Sequence, residues 1–258
     1  MSNIMVIPAL SDNYIFLAAA NGYAVLFDPG EAAPALDALW KNRLSLAAVV
    51  ITHRHADHIG GVAEILRASP DSILYAPAGC GLATAQIVAD GEKLSLLDGA
   101  LNLRVMATPG HTAEHLAYIG TYFDDAVAFC GDTVFACGCG RVLDGTMAQM
   151  FASVQKIAAL PDNPNIYCGH EYTANNIRFA LAVEPDNEAL QRRHMETAKK
   201  RAGGLPTVPF SLADERACNP FFRLREPAVK EAAENWAKRE LPNDEAVFTA
   251  LRQWKDSF

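Results

Sequence analysis

Cysteines, basic side chains and long apolar runs are all scarce in this chain of 258 residues, and each scarcity excludes something. Six cysteines (Cys80, Cys130, Cys137, Cys139, Cys168 and Cys218) are too few over that length for a disulfide scaffold, so they read as free thiols. Lysine and arginine number 22 against 30 aspartates and glutamates, a net charge of −8, and a nucleic-acid backbone calls for the opposite balance. No apolar run approaches the roughly 18 residues of a membrane span, and the opening MSNIMVIPALSDNYIF lacks the basic start of a secretory signal. A cytoplasmic protein is expected, with neither nucleic acid nor membrane as partner.

Half the residues are hydrophobic and a fifth are charged, the composition of a globular chain with a sizeable core. Strand-like runs bounded by Gly, Pro, Asn or Asp occur at 5–8, 14–18, 24–28, 47–52, 73–76, 101–107, 116–119, 126–130 and 165–168. Helical stretches fall at 32–41, 59–68 and 147–160, which predicts a mixed sheet system covered by helices. Beyond Tyr172 the texture becomes helical, over 174–183, 188–202, 228–240 and 245–255, with Gly203, Gly204, Pro206 and Pro209 dividing the pairs. Two domains are expected, 1–172 and a mostly helical 173–258. Residues 1–172 hold 8 basic and 17 acidic side chains, whereas 173–258 hold 14 and 13; the first part suits cations and the second can hold an anion.

The densest chemistry is Thr52-His53-Arg54-His55-Ala56-Asp57-His58-Ile59-Gly60-Gly61, three imidazoles and a carboxylate directly after an apolar run. Those are donors that zinc and similar divalent ions prefer. Three further runs end in a Gly and then a metal-capable side chain: His111 after Thr108-Pro109-Gly110, Asp132 after Gly131, and His170 after Gly169. Sheet-based enzymes gather sites at strand ends in this way. Cys137-Gly138-Cys139 lacks the second pair that a structural zinc motif requires, and His194 sits in a polar helical stretch as a solvated residue.

The succession THxHxDHxGG, PGHT, GD and GH resembles the metallo-β-lactamase superfamily of binuclear hydrolases. That resemblance implies an α/β fold, an αββα sandwich, with two divalent ions, zinc first and iron or manganese otherwise. It assigns His53, His55 and His111 to one ion, Asp57, His58 and His170 to the other, and Asp132 to both, with Asp57 and Asp132 also serving catalysis. Phe135–Thr146 with its GCGR core, CGHEYTANN from Cys168, NPFFR from Asn219 and the closing RQWKDSF resemble the glyoxalase II branch, hydroxyacylglutathione hydrolases. The resemblance implies hydrolysis of S-D-lactoylglutathione by a metal-bridging hydroxide, in a monomer whose partner is a small glutathione thioester. It places glutathione against Arg141, Leu143, Tyr172, Arg252 and Lys255. Leu143 stands where the family often has an aromatic residue, and Arg54 where relatives often have His. Independently, Arg252 and Lys255 are i and i+3 on one helix face, beside an apolar stripe of Val247, Leu251, Trp254 and Phe258. A β-lactamase-like enzyme, a nuclease or a non-catalytic metal- or thioester-binding protein are the alternatives.

Overall fold

The computed structural model describes residues 4–161 and 163–258. Six strands form the first sheet in chain order: β1 (Met5–Ala9), β2 (Asn13–Ala20), β3 (Tyr23–Phe27), β4 (Ser45–Val50), β5 (Ile73–Ala76) and β6 (Gln86–Ile87). The first three are antiparallel, and β3 to β6 run parallel. Asn21 and Gly22, both at positive φ, close the β2–β3 hairpin with the twist such turns favour. Helices α1 (Ala32–Lys41), α2 (Ala56–Ile59) and α3 (Val62–Ala68) occupy the crossovers around β4.

The second sheet runs β14-β13-β10-β9-β8-β7, comprising β7 (Lys93–Leu96), β8 (Leu101–Ala107), β9 (Leu116–Tyr122), β10 (Asp125–Gly131), β13 (Asn165–Cys168) and β14 (Phe210–Ser211). Between β10 and β13 lie a small hairpin, β11 (Val134–Phe135) with β12 (Gly138–Cys139), and helix α4 (Met147–Ala158). The C-terminal part carries α5 (Thr173–Val183), α6 (Glu188–Ala202), α7 (Leu212–Cys218), α8 (Pro227–Ala237) and α9 (Asp244–Ser257), with α9 against α4 and α8.

Strand periodicity divides the apolar side chains into layers. Phe16, Val25, Phe27 and Val50 face the second sheet, where Leu103, Tyr118, Phe129 and Tyr167 meet them. Ile15, Leu17, Leu26 and Val49 face the other way, onto Ala35, Leu39, Val62 and Ile65 of α1 and α3. The Phe27 and Phe129 rings stack 3.6 Å apart between the sheets. The arrangement is an αββα sandwich.

Sequence periodicity misplaced some elements. The helix expected over 59–68 is two helices, because the chain at Gly60-Gly61 presses on Pro29-Gly30: a Cβ on Gly61 would lie 2.7 Å from the Pro29 carbonyl oxygen. The short strands β6, β7, β11, β12 and β14 and helix α7 carried too little periodicity to be read. Strand β14 matters most, because it pairs Ser211 with Asn165 and so joins the helical part to the edge of the second sheet.

Phe129 is fully enclosed, so Phe129→Ala is expected to cost about 3–5 kcal/mol. Trp40→Ala, at a residue 79% exposed, is expected to stay within about 0.5 kcal/mol. Urea-unfolding midpoints of the two variants check the difference.

Candidate metal centre

Four strand ends deliver the polar residues to one place. After β4, the chain turns at Thr52 and enters α2, whose first turn, with His58 N–H donating to the His55 carbonyl at 2.9 Å, brings His55, Asp57 and His58 round one corner. His111 follows β8, Asp132 follows β10 and His170 follows β13.

Two groups of donors converge. His55 Nδ1 lies 3.0 Å from His53 Nε2 and 3.0 Å from His111 Nε2. On the other side, Asp57 Oδ2 lies 3.7 Å from His58 Nε2 and 3.3 Å from His170 Nε2. Asp132 stands between them. Its Oδ2 is 3.3 Å from both His111 Nε2 and His170 Nε2, and its Oδ1 is 3.4 Å from His58 Nε2. A tetrahedron with bonds of roughly 2.0–2.1 Å has edges of about 3.3–3.4 Å, and these separations bracket that value. His58 Nε2 and Asp132 Oδ1 are buried without a hydrogen-bond partner, as atoms awaiting a cation would be. The His/Asp cluster therefore fits a binuclear divalent metal site.

The outward ring nitrogens fix the tautomers. Thr52 Oγ1 donates to Asp28 at 2.6 Å and so accepts from His53 Nδ1 at 3.0 Å. His58 Nδ1 donates to Asp28 at 3.0 Å, His111 Nδ1 to the Arg141 carbonyl at 2.9 Å and His170 Nδ1 to Asp12 at 2.8 Å. Each leaves its Nε2 turned inward, the usual role of such outer partners. Asp28 also comes within reach of His53 and His58, but its oxygens already hold Thr52 and His58.

Burial opposes charge in this cluster: it holds His53 and His55 below the usual imidazole value, while pairing overrides it at Asp132 and His170. The imidazoles of His58 and His170 hold the Asp132 carboxyl well below the usual range. His170 is lifted to about 11 by Asp132 and Asp57 despite its burial. A divalent ion entering here displaces those protons.

A cavity of about 920 Å³ opens from this cluster. His55, Asp57, His111, Asp132 and His170 contribute to its lining, and Arg141, Leu143, Tyr172, Arg252 and Lys255 all reach it. Tyr172 stacks on the His170 ring at 4.6 Å. Lys255 Nζ contacts Asn176 Oδ1 above the Phe179 ring, and burial, then the nearby Arg252, push its pKa down to about 7. Arg252, 3% exposed, donates to the Cys139 carbonyl at 2.8 Å and to Asp256 at 3.1 Å.

Residues 8–170 match the family described as the metallo-beta-lactamase superfamily, and residues 171–258 match the hydroxyacylglutathione hydrolase C-terminus. A protein of Aeromonas hydrophila named hydroxyacylglutathione hydrolase is 45% identical over all of both chains. The chain belongs to the hydroxyacylglutathione hydrolase family. The fold of this family member is also that of ETHE1 from Myxococcus xanthus, at 21% identity and a TM-score of 0.64 over 99% of each chain. TTHA1623, solved in a di-iron-bound form, is 25% identical with a TM-score of 0.53, over 64% of this chain and 90% of that one.

In this hydroxyacylglutathione hydrolase family member, four supporting residues escaped the sequence reading: Asp12, Asn13, Asp28 and His115. Asp28 closes a strand-like run as Asp132 does, a signal that was there to be read. Asp12 ends the β1–β2 turn and Asn13 opens β2, and only the fold shows Asn13 Nδ2 reaching Asp57 Oδ2 at 3.0 Å. His115, 1% exposed, sits four residues past His111, and burial first of all holds it at about 3. Arg252 gives Nη1 to the Cys139 carbonyl and Nη2 to Asp256, while its Nε is buried without a partner among the described residues, on the cavity wall that Lys255 also lines. The apolar stripe of the last helix ends early, for Phe258 is 57% exposed. Asp144, which could have held Arg141, pairs with Arg54 instead. Among the described residues no ion pair or side-chain hydrogen bond engages Arg141, and no cysteine joins a metal-capable group.

Gly169 leaves room that the centre needs, since a Cβ there would meet Asp132 Oδ1 at 2.5 Å and His58 Cε1 at 2.6 Å. Gly169→Ala is expected to weaken retention of the second ion by roughly 10–100-fold, the usual cost of a disturbed ligand environment. Zinc content after dialysis against a graded chelator checks it.

Proposed function

We propose that this chain hydrolyses the thioester of S-D-lactoylglutathione and related S-2-hydroxyacylglutathiones to glutathione and the free acid, D-lactate in the first case, the second step of methylglyoxal detoxification. The observation that carries this reading is one cavity with the His/Asp cluster at its floor and Arg141, Tyr172 and Lys255 on its wall, in a chain aligned end to end with proteins named for that reaction. Two divalent ions, zinc first and iron or manganese otherwise, supply a Lewis acid for the carbonyl and activate water at neutral pH. His53, His55 and His111 hold one, Asp57, His58 and His170 the other, and Asp132 both.

The chain's own groups do the remainder. Asp57, 39% exposed at its side chain, faces the cavity and takes the proton that water gives up on attack. Asn13 and His170 keep its carboxyl well below the usual range, so it is ionised for that task at neutral pH. The C–S bond breaks as the acyl–oxygen bond forms, and the proton leaves with the glutathione sulfur.

Glutathione lies along Arg141, Leu143, Tyr172 and Lys255, with residues 1–172 contributing the metals and 173–258 most of the remaining wall. Arg252 lies against glutathione on the same wall, with Nε left unpartnered among the described residues while Nη1 holds the Cys139 carbonyl. A leucine at 143 offers apolar surface and no hydroxyl. Among the described residues no helix is long and apolar enough to cross a membrane, and the six cysteines are free and buried. Free, buried thiols suit a reducing compartment, and the net charge of −8 suits a small-molecule partner better than nucleic acid; the reading takes the protein as a cytoplasmic monomer. Lactam or phosphodiester hydrolysis is not favoured: a carboxylate, from Asp132, would hold both ions where many lactamases place Cys.

Purified protein is expected to hydrolyse S-D-lactoylglutathione far faster than a lactam or a bis-phosphodiester, with activity falling at least about 100-fold on chelation and returning with zinc. Rates indifferent to chelation, or a preference for either rival substrate, refute the reading.

Lys255 gives a second test. Its ammonium, needed for a glutathione carboxylate, is present below a pKa of about 7 and lost as pH rises through it. KM is therefore expected to climb between about pH 7 and 9 with kcat little changed, while Lys255→Arg, charged throughout, keeps a flat KM.

A further inference from the structure

Asp132 is the one carboxylate shared by both donor groups, yet nothing but their imidazoles approaches its oxygens among the described residues. Its position must then be set through its backbone. The Asp132 N–H donates to His115 Nε2 at 3.1 Å. A backbone N–H can only donate, so Nε2 is bare and the ring proton is on Nδ1, which faces Thr108 Oγ1 at 2.9 Å and Thr133 Oγ1 at 3.2 Å. With both nitrogens used, His115 is not a spare ligand, although its ring lies 4.9 Å from that of His53. The chain makes room for this contact: Gly131 turns at φ +46°, and a Cβ there would lie 2.7 Å from His115 Nε2 and 2.5 Å from Thr52 Oγ1.

We infer that His115 is a positioning residue of the metal centre, which through the Asp132 N–H sets where the shared carboxylate stands. The inference rests on the reading of a two-ion centre and not on the identity of the substrate. Thr108 is part of the device, because its hydroxyl receives the proton that keeps Nε2 free to accept.

Two substitutions separate the halves of the imidazole. Gln at 115 offers an amide oxygen where Nε2 stood, whereas Asn offers an amide N–H where Nδ1 stood and nothing for Asp132. The measurement is binding of zinc alone, by chelator competition, together with the absorption spectrum of the cobalt(II)-loaded protein. His115→Asn is expected to weaken the second zinc by roughly 10–100-fold and to shift the cobalt bands, with His115→Gln restoring most of both. Should His115→Asn not fold by circular dichroism, Thr108→Val, nearly isosteric, is expected to weaken the second zinc in the same direction by a smaller factor. Two zinc ions bound as tightly as in the parent, with unshifted cobalt bands, in whichever of His115→Asn or Thr108→Val is folded would overturn the inference. A parent protein that binds two zinc ions but does not hydrolyse glutathione thioesters would overturn the proposed function and leave this inference standing.

Discussion

Five imidazoles and two carboxylates, each with a neighbour of the cluster 3.0–3.7 Å away, cannot all satisfy each other by hydrogen bonds. Neutral imidazole nitrogens that face each other without a proton between them repel, and a buried carboxylate oxygen without a donor costs free energy comparable to a lost hydrogen bond. The arrangement is consistent only with positive charge at its centre. Everything around it serves to hold that unfavourable geometry in place before the charge arrives. Asp28, Asp12 and the Arg141 carbonyl take the outward ring protons of His58, His170 and His111, and Thr52 that of His53, so these four rings cannot relieve the crowding by exchanging tautomers.

The sandwich makes this possible because strand ends are the places where a rigid sheet meets irregular backbone. Strand β10 keeps its register with β13 up to Phe129, then slips before Gly131. Such an irregularity bends a strand and re-aims the next side chain, here Asp132. The aromatic stack of Phe27, Phe129 and Tyr167 lies just inside that point, so the turn is anchored to the buried layer between the sheets. Close backbone approach follows. At Gly169 and Gly131 the site leaves no space for a side chain, which gives a steric reason for the small residue that precedes each ligand.

The ligands themselves were legible in the sequence because they carry two signals at once, an unusual residue type and a fixed place after an apolar run. His53, His55 and His58 announce themselves by density, and His111, Asp132 and His170 by recurrence of the same strand, glycine and polar order. Asp28 carried the second signal without the first, since an aspartate before Pro-Gly reads as an ordinary turn. His115 carried the first without the second, and only its two hydrogen bonds show its place. Asn13 had neither, for its contact with Asp57 spans forty-four positions in the chain. The fold was legible where periodicity ran long, as in α6 or β8. Two-residue strands such as β14 exist only because a partner edge is present, and no local pattern marks them.

That last strand bears on why the helical part is fused to the sheet. One wall of the cavity holds the His/Asp cluster and the other holds Lys255, and a ligand engaging both needs them at a constant separation. Glu171, between His170 and Tyr172, accepts from the Tyr14 hydroxyl at 2.6 Å on the sheet side, and from the Thr207 N–H at 2.8 Å and hydroxyl at 2.6 Å on the helical side. Thr207 lies three residues before β14, which is itself paired to β13, the strand that His170 follows. A small looseness between the walls would cost reactivity out of proportion to its size, because alignment of reacting groups can supply about 7–11 kcal/mol of a barrier. The division of labour between the two cations follows from the same need. Arg252, charged at any accessible pH, spends its planar donors on the Cys139 carbonyl and Asp256, stiffening the wall. Lys255, one turn further on, keeps a single adjustable charge, and its partial neutralisation by burial is the cost of setting a cation where the wall must also be packed.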